Sequence, residues 1–207
     1  REVLHVRTIT IEKEVFKFDE LSDKAKDEVR LWLSDWDDWS CEYDDFVRMG
    51  KILGIEIDTC PVKLMGGGYL EEPKIYWRGF YYQSDYLTFE GRYRYAKGAV
   101  KAMKAETNDP ELIRIAEALQ AAQRPYFYRL EAFMTTQRDY MIVEVEDRED
   151  NYREIPDKDV EEAMRDFAHW MFKQLRDEYE YRNSDEYIRE TCEANEYEFD
   201  EKGRFVK

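Results

Sequence analysis

Hydrophobic and polar positions alternate most clearly from Lys74 to Tyr95, in the stretch KIYWRGFYYQSDYLTFEGRYRY. Ile75, Trp77 and Gly79, then Leu87, Phe89, Gly91, Tyr93 and Tyr95, keep a period of two, while Tyr76, Arg78, Thr88, Glu90, Arg92 and Arg94 fall on the opposite face. This is the signature of two antiparallel strands, packed on one side and wet on the other, joined at Gln83-Ser84-Asp85. Gly79 and Gly91 inside the strands predict bulges or close backbone approaches, since glycine offers a pleated surface nothing to pack.

The pattern elsewhere predicts further strands and five helices. Val3 to Phe18 alternates loosely and reads as a strand or a bent pair of strands. Asp19 to Trp36 reads as a helix capped by Ser22, with Ala25, Val29, Trp32, Leu33 and Trp36 on one face. A second helix spans Cys41 to Leu53, ends at Gly54 and leads into the strand Ile55–Ile57. Thr59 to Glu72, with Pro61 and Gly66-Gly67-Gly68, reads as a loop or a loosely held edge. Lys97 to Glu106 is short and basic; Asn108 or Asp109 then caps a helix with Pro110 at its first position and Leu112, Ile115, Ala116 and Leu119 inward.

Tyr126–Thr135 and Tyr140–Glu146 form a second hairpin pattern, turning at Gln137-Arg138-Asp139. The longest helix starts near Asp157, with a stripe of Val160, Met164, Phe167, Trp170, Met171, Gln174 and Leu175, and a shorter one runs from Ser184 to Ala194. Tyr197–Phe199 and Arg204–Val206 close the chain as a hairpin about Asp200–Gly203. Hairpins outnumber βαβ units, so the expected class is α+β: an antiparallel sheet with about five helices packed mainly on one face. One domain spanning residues 1–207 is expected, with 147–156 the best candidate for a weak subdivision.

Composition narrows the chemistry mostly by exclusion. Sixteen Tyr, eleven Phe and five Trp give a chain that can bury a core, which a disordered one lacks. No apolar run approaches the eighteen or so residues of a membrane span, and a soluble cytoplasmic protein is expected. Cys41, Cys60 and Cys192 are odd in number and have no CxxC spacing, so reduced, partly buried thiols are expected rather than disulfides or zinc. The two histidines, His5 and His169, have no recognisable nucleophile motif near them. The glycine run is followed by Tyr-Leu-Glu-Glu rather than Gly-Lys-Ser/Thr, which rules it out as a phosphate loop. Asp35, Asp37, Asp38, Asp44 and Asp45, and likewise Asp147, Glu149 and Asp150, match a calcium loop only in density, without its bending glycine and closing glutamate. No cofactor, metal site or catalytic residue is assigned, and an enzyme is not expected.

Charge is the strongest feature, at −16 overall. Asp19 to Asp58 holds thirteen acids against five bases, a net −8, and Glu144 to Glu201 holds 22 against eight, a net −14. Many of these carboxylates lie on helices whose other face is apolar, so they project as acidic ridges. Most such ridges simply keep a protein soluble. The sharper reading is that they imitate the phosphate rows of a duplex and draw in a nucleic-acid-binding protein. On that reading Asp35, Asp37, Asp38, Asp44, Asp45, Asp177, Glu178, Glu180, Asp185, Glu186 and Glu190 meet the partner, with Trp36 and Trp39 as aromatic anchors. The partner is then a protein or ribonucleoprotein with a basic surface. Arg78, Arg92, Arg94, Lys97, Lys101 and Lys104 among tyrosines could hold RNA, but the overall charge opposes a polyanion, and these cations are expected to meet acidic helices of their own chain.

FDELSDKAKDEVRLW, MGKILGIEID, the Gly79-Phe80 to Asp85 stretch running into FEGRYRYAKGA, and ANEYEF together resemble a family of bacteriophage and prophage proteins that often carry the label "antitoxin of toxin-antitoxin stability system". The resemblance runs from Phe18 to Phe199, though this chain has Ser84, Asp85 and Tyr86 where small residues are typical. It implies a phage accessory protein and brings no catalytic motif. The function expected is inhibition of a host nucleic-acid-handling or defence complex, of the anti-CRISPR or anti-restriction type. The alternatives are an antitoxin for a cognate toxin and a small metal-dependent hydrolase or nuclease.

Overall fold

Three bent strands meet at Asp58, Lys74 and Glu90. The Asp58 N–H donates to the Glu90 carbonyl (2.9 Å), the Glu90 N–H to the Lys74 carbonyl (3.0 Å) and the Lys74 N–H to the Asp58 carbonyl (2.8 Å). This closed ring pairs backbone groups that a bend out of a sheet would leave unsatisfied. Lys74 Nζ also reaches Glu90 Oε2 at 2.9 Å. The bends separate β1 (Ile55–Ile57) from β2 (Thr59–Lys63), β3 (Tyr69–Pro73) from β4 (Ile75–Arg78), and β5 (Tyr86–Phe89) from β6 (Gly91–Arg94). Three antiparallel pairs radiate from the ring: β1 with β6, β2 with β3, and β4 with β5. β6 then pairs with β7 (Leu130–Gln137), and β7 with β8 (Tyr140–Asp147), giving a four-stranded sheet of order β1-β6-β7-β8.

The structure is a computed structural model describing residues 12–34, 38–80, 86–149 and 158–207. It divides into two compact units, a smaller one of Arg1–Asp38 with Glu178–Lys207 and a larger one of Trp39–Asp177. These divisions fall at Asp38/Trp39 and Asp177/Glu178 rather than within 147–156, and most of that stretch lies outside the described residues.

In the larger unit the helices are α2 (Ser40–Leu53), α3 (Ala99–Glu106), α4 (Pro110–Gln123) and most of α5 (Lys158–Arg182). Asp109 caps α4 by accepting from the Glu111 and Leu112 N–H groups, and its other oxygen accepts from Trp170 Nε1 at 2.8 Å. One carboxylate thereby starts one helix and fixes the rotation of another. The α5 stripe is buried as its spacing requires except at Gln174, which is half-buried, with Phe167 edge-on to Phe89 (5.8 Å) and Trp170 edge-on to Phe46 (5.6 Å). The other sheet face, with Glu56, Arg92, Phe133 and Glu144 in one cross-strand row, is exposed. Because Phe46, Phe89 and Asp109, which the stripe meets, all precede residue 147, the segment Asp147–Lys207 expressed alone should show weak helicity and aggregate. Circular dichroism and gel filtration check this; a soluble fragment with a cooperative melt counts against it.

The smaller unit has a 3-10 turn at Phe18–Glu20, α1 (Asp23–Ser34) and α6 (Asp185–Ala194) about a core of Phe18, Leu21, Ala25, Val29, Ile188, Cys192 and Phe199. Phe205 stacks on Trp32 at 4.9 Å, and Tyr197 meets Trp32 edge-on.

The α+β class holds, with six helices and eight strands among the described residues. Several elements differ from expectation. The strand predicted from Leu87 through Tyr95 breaks at Glu90, because Glu90 belongs to the ring and β6 belongs to another sheet. Thr59–Glu72 is a regular hairpin, not a loop: the glycine run supplies its turn, with Gly67 and Gly68 at φ of 87° and 88°. The basic stretch after the central strands is a sixth helix, α3. Glu12–Val15 is not a strand, and Phe16 makes one bridge to Phe199, so the closing hairpin holds by bridges at Phe199 rather than by full strands. Residues 3–11 of the first predicted strand, Trp36, and the Gln83-Ser84-Asp85 turn lie outside the described residues.

Candidate interaction surface

Helix α6 organises the acidic surface of the smaller unit. Ser184 caps it by accepting from the Tyr187 N–H, and Ile188 and Cys192 point into the core. Spacings of four and then three residues leave Glu186, Glu190 and Glu193 on the outward face, and all three are exposed. With a rise of about 1.5 Å per residue they are roughly 4–6 Å apart along the axis, the scale of the roughly 3.4 Å axial phosphate spacing of one duplex strand.

Two salt bridges pin the helix from its sides. Arg189 Nε donates to both oxygens of Asp19 (2.9 and 2.8 Å), and Arg30 pairs with Asp185 as well as Asp27. The Arg189 hydrogen bond holds the Asp19 carboxyl below its ordinary value, and the same contact raises the guanidinium. Beyond Glu193 the surface dips into a groove of about 680 Å³. Asp19, Glu20, Glu193, Glu196 and Glu198 line it against Lys17, Arg189 and Lys207. Asp19 is engaged by Arg189 and Glu20 by the Lys17 N–H, which leaves Glu193, Glu196 and Glu198 as the carboxylates that face an incoming cation. Cys192 also lines the groove, and burial pushes its thiol up to about 11, which keeps it protonated at neutral pH. The groove rests on a turn that Asp200 holds by accepting from the Arg204 and Lys202 N–H groups; those bonds keep its carboxyl below its ordinary value.

The residues expected to meet a partner are not all gathered here. Asp38, Glu178, Glu180, Asp185, Glu186 and Glu190 belong to the smaller unit, and Trp39, Asp44, Asp45 and Asp177 to the larger. Asp35, Trp36 and Asp37 lie outside the described residues. Trp39 is a packing residue rather than a free anchor: it is half-buried, edge-on to Trp77 at 5.7 Å and beside Phe80. Asp185 is engaged by Arg30, Glu178 by Arg182 (2.7 Å) and Asp45 by Arg48 (2.8 Å). Asp38 is exposed, and its carbonyl accepts from Arg182. Asp44, Asp177 and Glu180 are exposed, Asp177 lying 3.8 Å from Arg176. Glu193, Glu196 and Glu198 carry no signal in the sequence beyond their charge, since only the turn after α6 brings them to one groove.

Three of the six cations of the central stretch meet acids of their own chain, two on strands and one on a helix. Arg92 pairs with Glu56 (2.6 Å) and Arg94 with Glu131 (2.9 Å), both cross-strand, while Lys104 meets Glu117 of α4 (2.6 Å). Glu131, only 5% exposed, is flanked by a second arginine, Arg148. Cys41 is exposed rather than partly buried, Cys60 is intermediate and Cys192 is buried, and all three are free thiols. No described helix is long and apolar enough to cross a membrane, and the described residues hold no group of three or more His, Cys, Asp or Glu placed to share a metal ion.

An antiparallel α+β sheet with one helix-covered face and an acidic helix-and-groove surface in a separate unit defines the class of protein. The chain belongs to a family described as Domain of unknown function (DUF8835), matched over residues 36–185. That span takes in the whole of the larger unit and ends at the first residue of α6. No curated protein matches the chain. No solved structure matches it either.

Proposed function

We propose that this chain is a phage-encoded acidic binding protein that blocks a host nucleic-acid-handling or defence complex by occupying its cationic surface in place of nucleic acid. The observation that carries the reading is the α6 surface: three exposed carboxylates in line, continuing into a groove with two more. A lysine or arginine that normally grips a phosphate finds there a carboxylate at comparable spacing, and the groove gives its stem somewhere to lie. Long-range attraction to the −16 chain speeds the encounter.

Glu186→Lys, Glu190→Lys and Glu193→Lys together test the reading. All three are exposed, so folding should change by about 0.5 kcal/mol or less per site. Asp185 is left alone because it holds Arg30. Wild-type protein should capture a nucleic-acid-binding partner from host lysate, and that partner should lose its DNA or RNA in the complex. The triple variant should associate at least about tenfold more slowly, and added salt should erase the difference. A partner that keeps its nucleic acid in the complex, or binds both proteins alike, overturns the proposal. Capture of a toxin points to the antitoxin reading instead.

A further inference from the structure

The four-stranded sheet ends on β8, an eight-residue strand whose outer edge is unpaired among the described residues. The Arg148 N–H donates to the Arg129 carbonyl at 3.4 Å, and the register then makes Tyr140, Ile142, Glu144 and Glu146 the residues that exchange bonds with β7. Met141, Val143 and Val145 therefore aim their N–H and C=O groups away from β7, and no described residue bonds to them. Their side chains face inward, Met141 and Val143 being buried and Val145 half-buried. At the Met141 end a hollow of about 250 Å³, bounded by Tyr86, Leu87, Arg165 and His169, leaves room beside the strand. Proteins commonly guard such an edge with lysine, proline or a bulge. β8 has none of these: it reads Tyr-Met-Ile-Val-Glu-Val-Glu-Asp and pairs with β7 residue for residue. The opposite edge differs, since β1 is three residues long and the chain bends away at Asp58.

We infer that the β8 edge is a docking site for an extended, basic segment of another protein, which adds to the sheet as a further strand. A row of alternating N–H and C=O groups is complemented by another extended backbone, and this sets the class of occupant. The side chains set its charge. Glu144 and Glu146 stand exposed on the wet face of the edge strand and are engaged by no described cation; Arg94 and Arg148, which share that face, are bound to Glu131. Residues opposite the two glutamates on an incoming strand lie two apart, so lysine or arginine at alternate positions pairs with both. Ile142 and Tyr140 follow on the same face, 37% and 73% exposed, and suit apolar residues at the next two alternate positions. A second copy is the wrong occupant. Pairing β8 antiparallel to itself sets Glu144 opposite or diagonal to the other copy's Glu144, between chains of charge −16. The edge belongs to the larger unit, and the inference does not rest on the α6 surface.

The probe is a fluorescein-labelled, amidated peptide, Lys-Val-Lys-Thr-Ile-Thr-Tyr, in which antiparallel pairing sets the two lysines against Glu146 and Glu144. By fluorescence anisotropy the full chain should bind it at least about tenfold more tightly than the same peptide with glutamate for lysine. Methylating the backbone nitrogens of its valine and first threonine, which face β8 in that register, should weaken binding at least about tenfold. Glu144→Lys with Glu146→Lys should leave the melting temperature near that of wild type, both side chains being exposed, and should reverse the preference in favour of the glutamate peptide. Hydrogen exchange reads the geometry. In the free chain the amides of Val143 and Val145 should exchange faster than those of Ile142 and Glu144, and the lysine peptide should slow them at least about tenfold. A lysine peptide that fails to bind up to millimolar concentration overturns the inference, as does equal binding of the lysine and glutamate peptides. So does binding that survives backbone methylation, or exchange at Val143 and Val145 that the peptide leaves unchanged. Slow exchange at those two amides in the free chain, quickening on dilution, would show a second copy on the edge and overturn it too.

Discussion

Gly91→Ala should destabilise the protein by about 3 kcal/mol or more, because the added methyl group would meet backbone of the neighbouring strand. Gly91 begins β6 opposite Ile57, immediately after the strand ring, and β1 passes directly over it. A Cβ there would lie 2.2 Å from the Glu56 carbonyl oxygen and 3.0 Å from the Ile57 Cα. Both atoms are backbone in the partner strand, so relief requires β1 to move. β1 cannot move without breaking either its ladder to β6 or the hydrogen bond that follows it, from the Asp58 N–H to the Glu90 carbonyl. Gly98→Ala is the control. Gly98 has φ of 84° but nothing within 4 Å of its Cβ position, so alanine there meets only the left-handed backbone penalty of about 1 kcal/mol. Urea denaturation of both variants checks the contrast. Equal losses would mean that the backbone conformation, not the close approach of β1, sets the cost.

Phe199→Ala should cost about 4 kcal/mol and remove the support of the acidic groove. Its ring is fully buried at the centre of the smaller core, edge-on to Trp32 at 6.0 Å and near Phe205 at 6.5 Å. Its backbone bonds to Phe16 in both directions (2.8 and 2.9 Å), and alanine preserves these. The loss therefore isolates the side chain: transferred area plus the cavity left between rings that cannot all collapse inward. Hydrogen exchange should report the change in α1 and α6, and any partner of the α6 surface should bind more weakly as that surface loses its floor. Slow exchange in α1 and α6 of the variant, as in wild type, would contradict the central role given to this ring.

Local rules made several elements legible. Ser22, Asp109 and Ser184 mark helix starts because a side-chain oxygen satisfies orphan N–H groups within three residues. Gly54, at φ of 88°, ends α2 because few other residues adopt that conformation cheaply. The α5 stripe from Val160 to Leu175, and the inward Leu112, Ile115, Ala116 and Leu119 of α4, followed from periodicity alone, since every residue concerned lies within a few turns of the next.

What only the tertiary structure decided involves residues far apart in the chain. Nothing near Glu90 announces that a strand must break there, because the reason is a hydrogen bond to Asp58 and another to Lys74. Thr88 reads as a wet position, but lies buried, and its hydroxyl accepts from Thr136, 48 residues on, at 3.1 Å. The acidic surface divides in the same way. Its carboxylate density could be counted from composition, and the outward aim of Glu186 and Glu190 follows from the spacing of Ile188 and Cys192. Which carboxylates stay available was settled by Arg30 and Arg189, cations that reach α6 from other segments or along it and engage Asp185 and Asp19. Periodicity is a property of neighbours in sequence, and so it travels with the chain. Charge pairing and strand exchange are properties of neighbours in space, and only the folded molecule supplies those.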